Sequence, residues 1–162
     1  MRDALQAEDG PLVRRLRQFV LLILAIGMIG TAMDLLLIDH YEDGWQAPPL
    51  VLIAVALVVV AAVWMRAGWI GVTALRVTMA LFIASGMLGV LLHYNANSEF
   101  QREVDPGLEG WPLFVKVMTA KAPPAIAPGV MVQLGLLGLL YTYRHPALQQ
   151  AASRRPGSSM GE

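Results

Sequence analysis

The sequence predicts an all-α integral membrane protein, a bundle of four transmembrane helices. Of its 162 residues, 56% are hydrophobic and only 15% are charged, against averages of about 45–50% and about 25% for soluble domains. The apolar residues form four blocks, each close to the roughly 20 residues that cross a hydrocarbon core about 30 Å thick. Because unpaired backbone groups are costly in lipid and the blocks show no β-strand alternation, all four are predicted to be helices.

Prolines and charges mark the boundaries of these spans. Pro48 and Pro49 precede the second block and Arg66 follows it, whereas the third block contains Arg76 near its start. The predicted four-helix membrane domain covers residues 18–145, with spans over 19–38, 50–65, 70–92 and 124–143. Around the spans we expect a cytoplasmic N-terminal segment over 1–17, an outer loop over 94–123 with a short surface helix at 111–118, and a disordered cytoplasmic tail over 146–162.

The distribution of Lys and Arg predicts the orientation of the chain. These residues concentrate in short cytoplasmic segments of membrane proteins. With the N-terminus inside, nine of the twelve lie on the inner side and three on the outer side, so both termini are predicted to be cytoplasmic. The inner residues are Arg2, Arg14, Arg15, Arg17, Arg66, Arg76, Arg144, Arg154 and Arg155, and the outer ones are Arg102, Lys116 and Lys121.

Two features of the composition exclude whole classes of function. The chain has no cysteine, which excludes disulfide scaffolds, thiolate metal sites and cysteine nucleophiles. Its Lys and Arg residues balance its Asp and Glu residues at 12 each, so no overall basic field points to a nucleic-acid partner.

The second half of the chain resembles the first. Residues 17–34 align without gaps on residues 76–93, which matches Arg17 with Arg76 and the GMIG segment at 27–30 with GMLG at 86–89. Each half then continues through a polar outer loop to Ala-Pro-Pro. This pattern predicts two parallel helical hairpins related by an axis along the membrane normal. The alternative is that apolar helices share these residues by composition alone.

Glycines in the aligned segments predict close packing of helices. Small residues let helix backbones approach each other in a membrane, where no hydrophobic force drives the helices together. We therefore expect the first and third helices to contact each other. The predicted packing residues are Gly27 and Gly30 on the first helix and Gly86 and Gly89 on the third.

An ionisable pair is the main candidate site. The alignment places Asp34 opposite His93, both toward the outer ends of their helices. Ionisable groups inside a membrane are costly and usually have a partner or a functional role. If the glycine faces meet, the two side chains can meet too. Asp34 then either makes a structural hydrogen bond or titrates during function, and His93 can alternatively be a solvated imidazole.

The first outer loop contains a second candidate site. His40, Glu42 and Asp43 combine imidazole and carboxylate groups that can bind a metal ion. The spacing matches no established metal motif, so a solvated acidic surface is the competing interpretation. Two imidazoles from separate helices can also ligate a haem.

The strings AKAPPAIAPGVMVQLGLLGLLYTYRHP and HYEDGWQAPP resemble those of small bacterial membrane proteins, which implies the bacterial cytoplasmic membrane. We expect a non-enzymatic accessory or structural subunit of a membrane complex, in contact with the lipid bilayer. Its expected partners are further copies of itself or a larger complex, with no cofactor and no nucleic acid. The alternatives are proton- or metal-coupled transport or binding through Asp34, His93 and additionally His40, or haem-based electron transfer.

Overall fold

The computed structural model describes residues 10–39, 44, 46–121 and 123–153, and these form six helices with no strand among them. Three helices, α1, α2 and α3, are long and apolar enough to cross a membrane. Helices α5 and α6 form a fourth such segment if the pair, bent by 54°, counts as one span. The helices are α1 (Pro11–Leu37), α2 (Ala47–Met65), α3 (Trp69–Val104), α4 (Gly110–Met118), α5 (Ile126–Thr142) and α6 (Pro146–Ser153).

The helices begin where the sequence has a proline or glycine signal. Pro11 opens α1, and Pro48 and Pro49 lie in the first turn of α2. Proline is favoured there because the first N–H groups of a helix have no intrahelical partner. Helix α2 ends at Met65, after which Arg66 is extended, and α3 starts directly after Gly68.

Three segments outside the predicted spans differ from expectation. Helix α3 continues past residue 92 to Val104, because residues 93–104 contain no proline or glycine to stop it. Residues 11–17 belong to α1, and residues 146–153 form α6 where a disordered tail was predicted. The predicted surface helix corresponds to α4, which packs against α3. Residues 1–9 and 154–162 of the predicted terminal segments lie outside the described residues.

Helix α3 is much longer than a membrane is thick. Its 36 residues span about 54 Å at about 1.5 Å per residue, compared with a hydrocarbon core of about 30 Å. The end of α3 is covered by α4, which buries Leu113 and Val117, and the rings of Tyr94 and Phe114 lie 6.2 Å apart. A helical pair therefore replaces much of the outer loop predicted over 94–123.

The four long helices contact one another in a closed ring. Helix α1 packs on α2, α2 on α3, α3 on α5 and α5 on α1. The most extensive of these interfaces is α3–α5. Between α1 and α3, both fully described, no two Cα atoms come within 8 Å. The predicted contact between the first and third helices is therefore wrong, because α5 lies against both of them.

The glycines contact α5 instead. A Cβ atom added to Gly86 would lie 2.6 Å from the carbonyl oxygen of Pro128, and one added to Gly135 would lie 2.7 Å from that of Met79. Real Cβ atoms essentially never approach that closely, so only glycine permits this separation of α3 and α5. The small residues act as expected for membrane helices, but in a different helix pair.

The other predicted packing glycines vary in their surroundings. A Cβ atom added to Gly89 would lie 2.9 Å from Cβ of Pro128, in the first turn of α5. One added to Gly27 would lie 2.6 Å from Cδ2 of Leu134, in the middle of α5. Gly30 is exposed, with nothing within 4 Å of an added Cβ. Gly30 therefore takes no part in packing among the described residues.

We expect Gly86→Ala and Gly135→Ala each to lower the free energy of unfolding by about 1–3 kcal/mol, because the added methyl group overlaps a facing backbone carbonyl. Gly30→Ala is the matched control and should be neutral or stabilising by up to about 1 kcal/mol, since alanine has the higher helix propensity. Unfolding in mixed micelles, followed by tryptophan fluorescence, measures the difference. Equal stability of all three variants would contradict the close approach of α3 and α5.

Candidate functional site

The predicted pair Asp34 and His93 is divided between two helices that are not neighbours. Asp34 is exposed near the end of α1, and His93 is exposed on α3. Helices α2 and α5 each contact both of these helices, whereas α1 and α3 do not approach each other. The hypothesis of a shared site depended on an α1–α3 contact, so the fold does not supply the geometry that motivated it.

The predicted metal-binding residues His40, Glu42 and Asp43 lie outside the described residues. Within residues 10–39, 44, 46–121 and 123–153, no group of three or more His, Asp or Glu side chains is arranged to hold a metal ion. The metal site in this loop therefore stays a prediction from the sequence.

The structure assembles a different polar cluster at the C-terminal end of α5. The guanidinium group of Arg17 donates hydrogen bonds to the carbonyl oxygens of Tyr141 and, at 3.2 Å, of Tyr143. From the other side, Nη2 of Arg76 donates to the carbonyl oxygen of Thr142 at 3.0 Å, and its Nε donates to Oγ1 of Thr142 at 3.3 Å. We call these two residues the arginine clamp.

The clamp stabilises the unpaired carbonyl groups at the C-terminal end of α5. The last carbonyl groups of a helix have no intrahelical partner and carry partial negative charge, so cations stabilise that end. Helix α5 has no basic residue in its own last turn. Arg17 of α1 and Arg76 of α3 supply the charge from neighbouring helices, and they thereby attach both helices to the same end of α5.

The chain turns sharply just beyond the clamp. Arg144 has a φ of 47°, a left-handed conformation that often ends helices and usually falls on glycine or asparagine. His145 is buried, and its Nδ1 accepts a hydrogen bond from the backbone N–H of Ala147 at 3.2 Å. His145 thus caps α6, and its ring lies 5.2 Å from that of Tyr141. The turn produces the bend between α5 and α6.

Sequence reasoning missed the clamp, although a signal for it was present. The alignment of the two halves matches Arg17 with Arg76, and the fourth apolar block ends at Thr142 and Tyr143 before its first cation, Arg144. The signal for the clamp is a helix end without its own cation. It is accompanied by two matched arginines near the starts of two other apolar blocks. What the sequence does not show is that α5 lies between α1 and α3.

The buried polar groups of the described residues are fully used within the chain. No buried side-chain nitrogen or oxygen among these residues lacks a hydrogen-bond partner. The hydroxyls of Thr31 and Thr78 donate to the carbonyl oxygens of Gly27 and Ala74, one turn earlier in their own helices. The two hydroxyl groups are therefore satisfied within their own helices.

No known protein family, curated protein or solved structure matches this chain.

Removing either arginine of the clamp should destabilise the fold. We expect Arg17→Met and Arg76→Met each to lower the free energy of unfolding by about 1–3 kcal/mol, because charge-assisted hydrogen bonds to helix-end carbonyls are lost. Arg15→Met is the matched control, because this exposed arginine lies at the same end of α1, and we expect a change within about 0.5 kcal/mol. Unfolding in detergent micelles provides the measurement. An equal loss in all three variants would show that net charge, and not the clamp, is responsible.

Proposed function

We propose that the protein is a small, non-enzymatic accessory or structural subunit of a membrane complex. The observation that carries this proposal is that the described interior is closed, since its polar atoms are satisfied within the chain and its apolar side chains fill the space between the helices. Binding sites for small molecules usually present a concave surface with a few converging polar groups. The polar groups buried among the described residues instead make hydrogen bonds within the chain.

The packing of the interior supports this proposal. Leu24 and Met28 of α1 and Met79 and Phe82 of α3 have no exposed surface. Ala56 of α2 is also fully buried. These side chains form one apolar cluster with Met131 and Leu134 of α5, where a transport pathway would require polar or hydrated groups. Such an interior favours a role in assembly over one in transport.

We also propose that the four long helices form a membrane-spanning bundle of two parallel helical hairpins. The ring of contacts α1–α2–α3–α5 supports the bundle, with α5 and α6 together providing the fourth span. The repeat is supported by the alignment of residues 17–34 with residues 76–93 and by the contacts within each proposed hairpin, α1 with α2 and α3 with α5.

The bundle has a cationic end and a mixed end, which supports cytoplasmic termini. The cationic end contains the starts of α1, α3 and α6 and the ends of α2 and α5, and none of the described residues there is a carboxylate. The opposite end contains Asp34, Glu99 and Glu103. The positive-inside rule assigns the cationic end to the cytoplasm. The membrane that we propose is the cytoplasmic membrane of a bacterium. The described cations at that end are Arg14, Arg15, Arg17, Arg66, Arg76 and Arg144.

The absence of cysteine from the sequence makes the orientation simple to test. We expect Glu109→Cys, between α3 and α4, to react with a membrane-impermeant maleimide in intact cells. Ser153→Cys, at the end of α6, should react only after permeabilisation, because the bilayer separates it from the reagent. Reaction of both variants after permeabilisation is the control. Labelling of Ser153→Cys in intact cells would contradict the proposed orientation.

The proposed subunit role predicts a defined assembly. We expect the tagged chain, extracted from its native membrane in polymer-bounded lipid particles, to occur as an oligomer or with a partner at fixed stoichiometry. Light scattering and mass spectrometry of the particles measure the composition. An unrelated membrane protein of similar size, extracted in parallel, controls for chance co-extraction. One copy per particle without a stoichiometric partner would contradict the proposal.

A further inference from the structure

A cleft opens at the cationic end of the bundle, between the start of α1, the end of α2 and the start of α6. Its volume is about 490 Å³. Arg14, Arg17 and Gln18 line it from α1, Trp64 lines it from α2, and Gln150 lines it from α6. The described residues that line the cleft include no carboxylate. The cleft is therefore a positively charged cavity with additional amide groups.

The polarity of the cleft changes with depth. Arg14, Gln18 and Leu21 lie on one face of α1, because residues three or four positions apart are neighbours on a helix. Leu21 is about 10 Å further along the helix axis than Arg14, and it is buried, as is Val63 of α2. The mouth of the cleft is thus cationic and its deeper part apolar. A phospholipid has the same order of polarity, from phosphate to acyl chain.

The two arginines of the cleft have different roles. Arg17 is half-buried and holds the end of α5 through the clamp, so it contributes a fixed positive charge. Arg14 is exposed one turn earlier on α1, and its guanidinium group offers up to five N–H donors to a ligand. Such a group binds phosphate oxygens in a bidentate manner. Trp64, also exposed in this cleft, is a residue type favoured at the membrane interface.

We infer that this cleft binds one anionic phospholipid from the cytoplasmic leaflet. Its phosphate group lies beside Arg14 and Arg17, and its acyl chain is directed toward the apolar end of the cleft at Leu21 and Val63. Basic pockets between membrane helices on the cytoplasmic side suit anionic headgroups. The inference rests on the proposed orientation of the bundle, because the cationic end must face the leaflet that is rich in anionic lipid.

Native mass spectrometry of the full chain, released from lipid nanodiscs, tests this site. The nanodiscs contain either phosphatidylcholine alone or phosphatidylcholine mixed with phosphatidylglycerol. We expect the wild-type chain to retain one phosphatidylglycerol in preference to phosphatidylcholine. Arg14→Gln should reduce this retention about fivefold, the effect of one arginine near an anionic lipid. Equal retention of the two lipids by the wild-type chain would overturn the inference.

Two matched pairs of variants separate the cleft from general surface charge. Arg15→Gln removes the same charge from the adjacent position, which does not line the cleft, and should retain the lipid as the wild type does. Gln150→Glu places a carboxylate in the cleft and should reduce retention, whereas Gln149→Glu, on the neighbouring exposed position, should not. Equal losses within either pair would overturn the inference.

Two further readouts identify the ligand and distinguish a failure of the lipid site from a failure of the proposed subunit role. Inorganic phosphate, added at millimolar concentration to the mixed-lipid sample, should leave the retained lipid in place, and its displacement would show that the cleft binds free phosphate instead. The same spectra report the number of chains in each assembly. A monomer that retains phosphatidylglycerol contradicts the proposed subunit role alone, and an oligomer without it contradicts only the lipid site.

Discussion

The close approach of α3 and α5 is the contact on which the rest of the fold depends. No Cα atoms of α1 and α3 come within 8 Å of each other, so α5 connects the two helices on one side and α2 connects them on the other. In a membrane, no hydrophobic force drives helices together, and dispersion contacts over a closely matched surface must supply the attraction. Gly86 and Gly135 make that surface because they allow backbone atoms of the two helices to meet.

The arginine clamp adds an electrostatic constraint to this packing. Dispersion contacts along a smooth apolar helix specify its position along the axis only weakly, whereas hydrogen bonds to the last carbonyls of α5 occur at one position only. Arg17 and Arg76 reach that position from different helices, so they set the depth of α1 and α3 relative to α5. The same arrangement leaves Arg14, one turn earlier, at the mouth of a cleft whose described lining residues include no carboxylate.

The sequence predicted the long apolar helices well, because hydrophobic length is a local property of the chain. Boundaries at Pro48, Pro49 and Arg66 agree closely with α2. The predictions that depended on which helices are neighbours were less successful. Gly27 and Gly86 indicated close packing, but a glycine does not reveal which helix will face it, and the α1–α3 contact was wrong. The proposed pairing of Asp34 with His93 was motivated by that contact and stays a prediction. Predicting the arginine clamp would have required the position of α5, which no local pattern contains.

The length of α3 has a mechanical consequence. This single helix contacts α4 beyond the mixed end of the bundle and α6 at the cationic end, and its seam with α5 at Gly86 lies near its midpoint. Helix α3 therefore connects α4 at one end of the helix ring to α6 at the other, so a rigid-body movement of α3 would displace both of these contacts together.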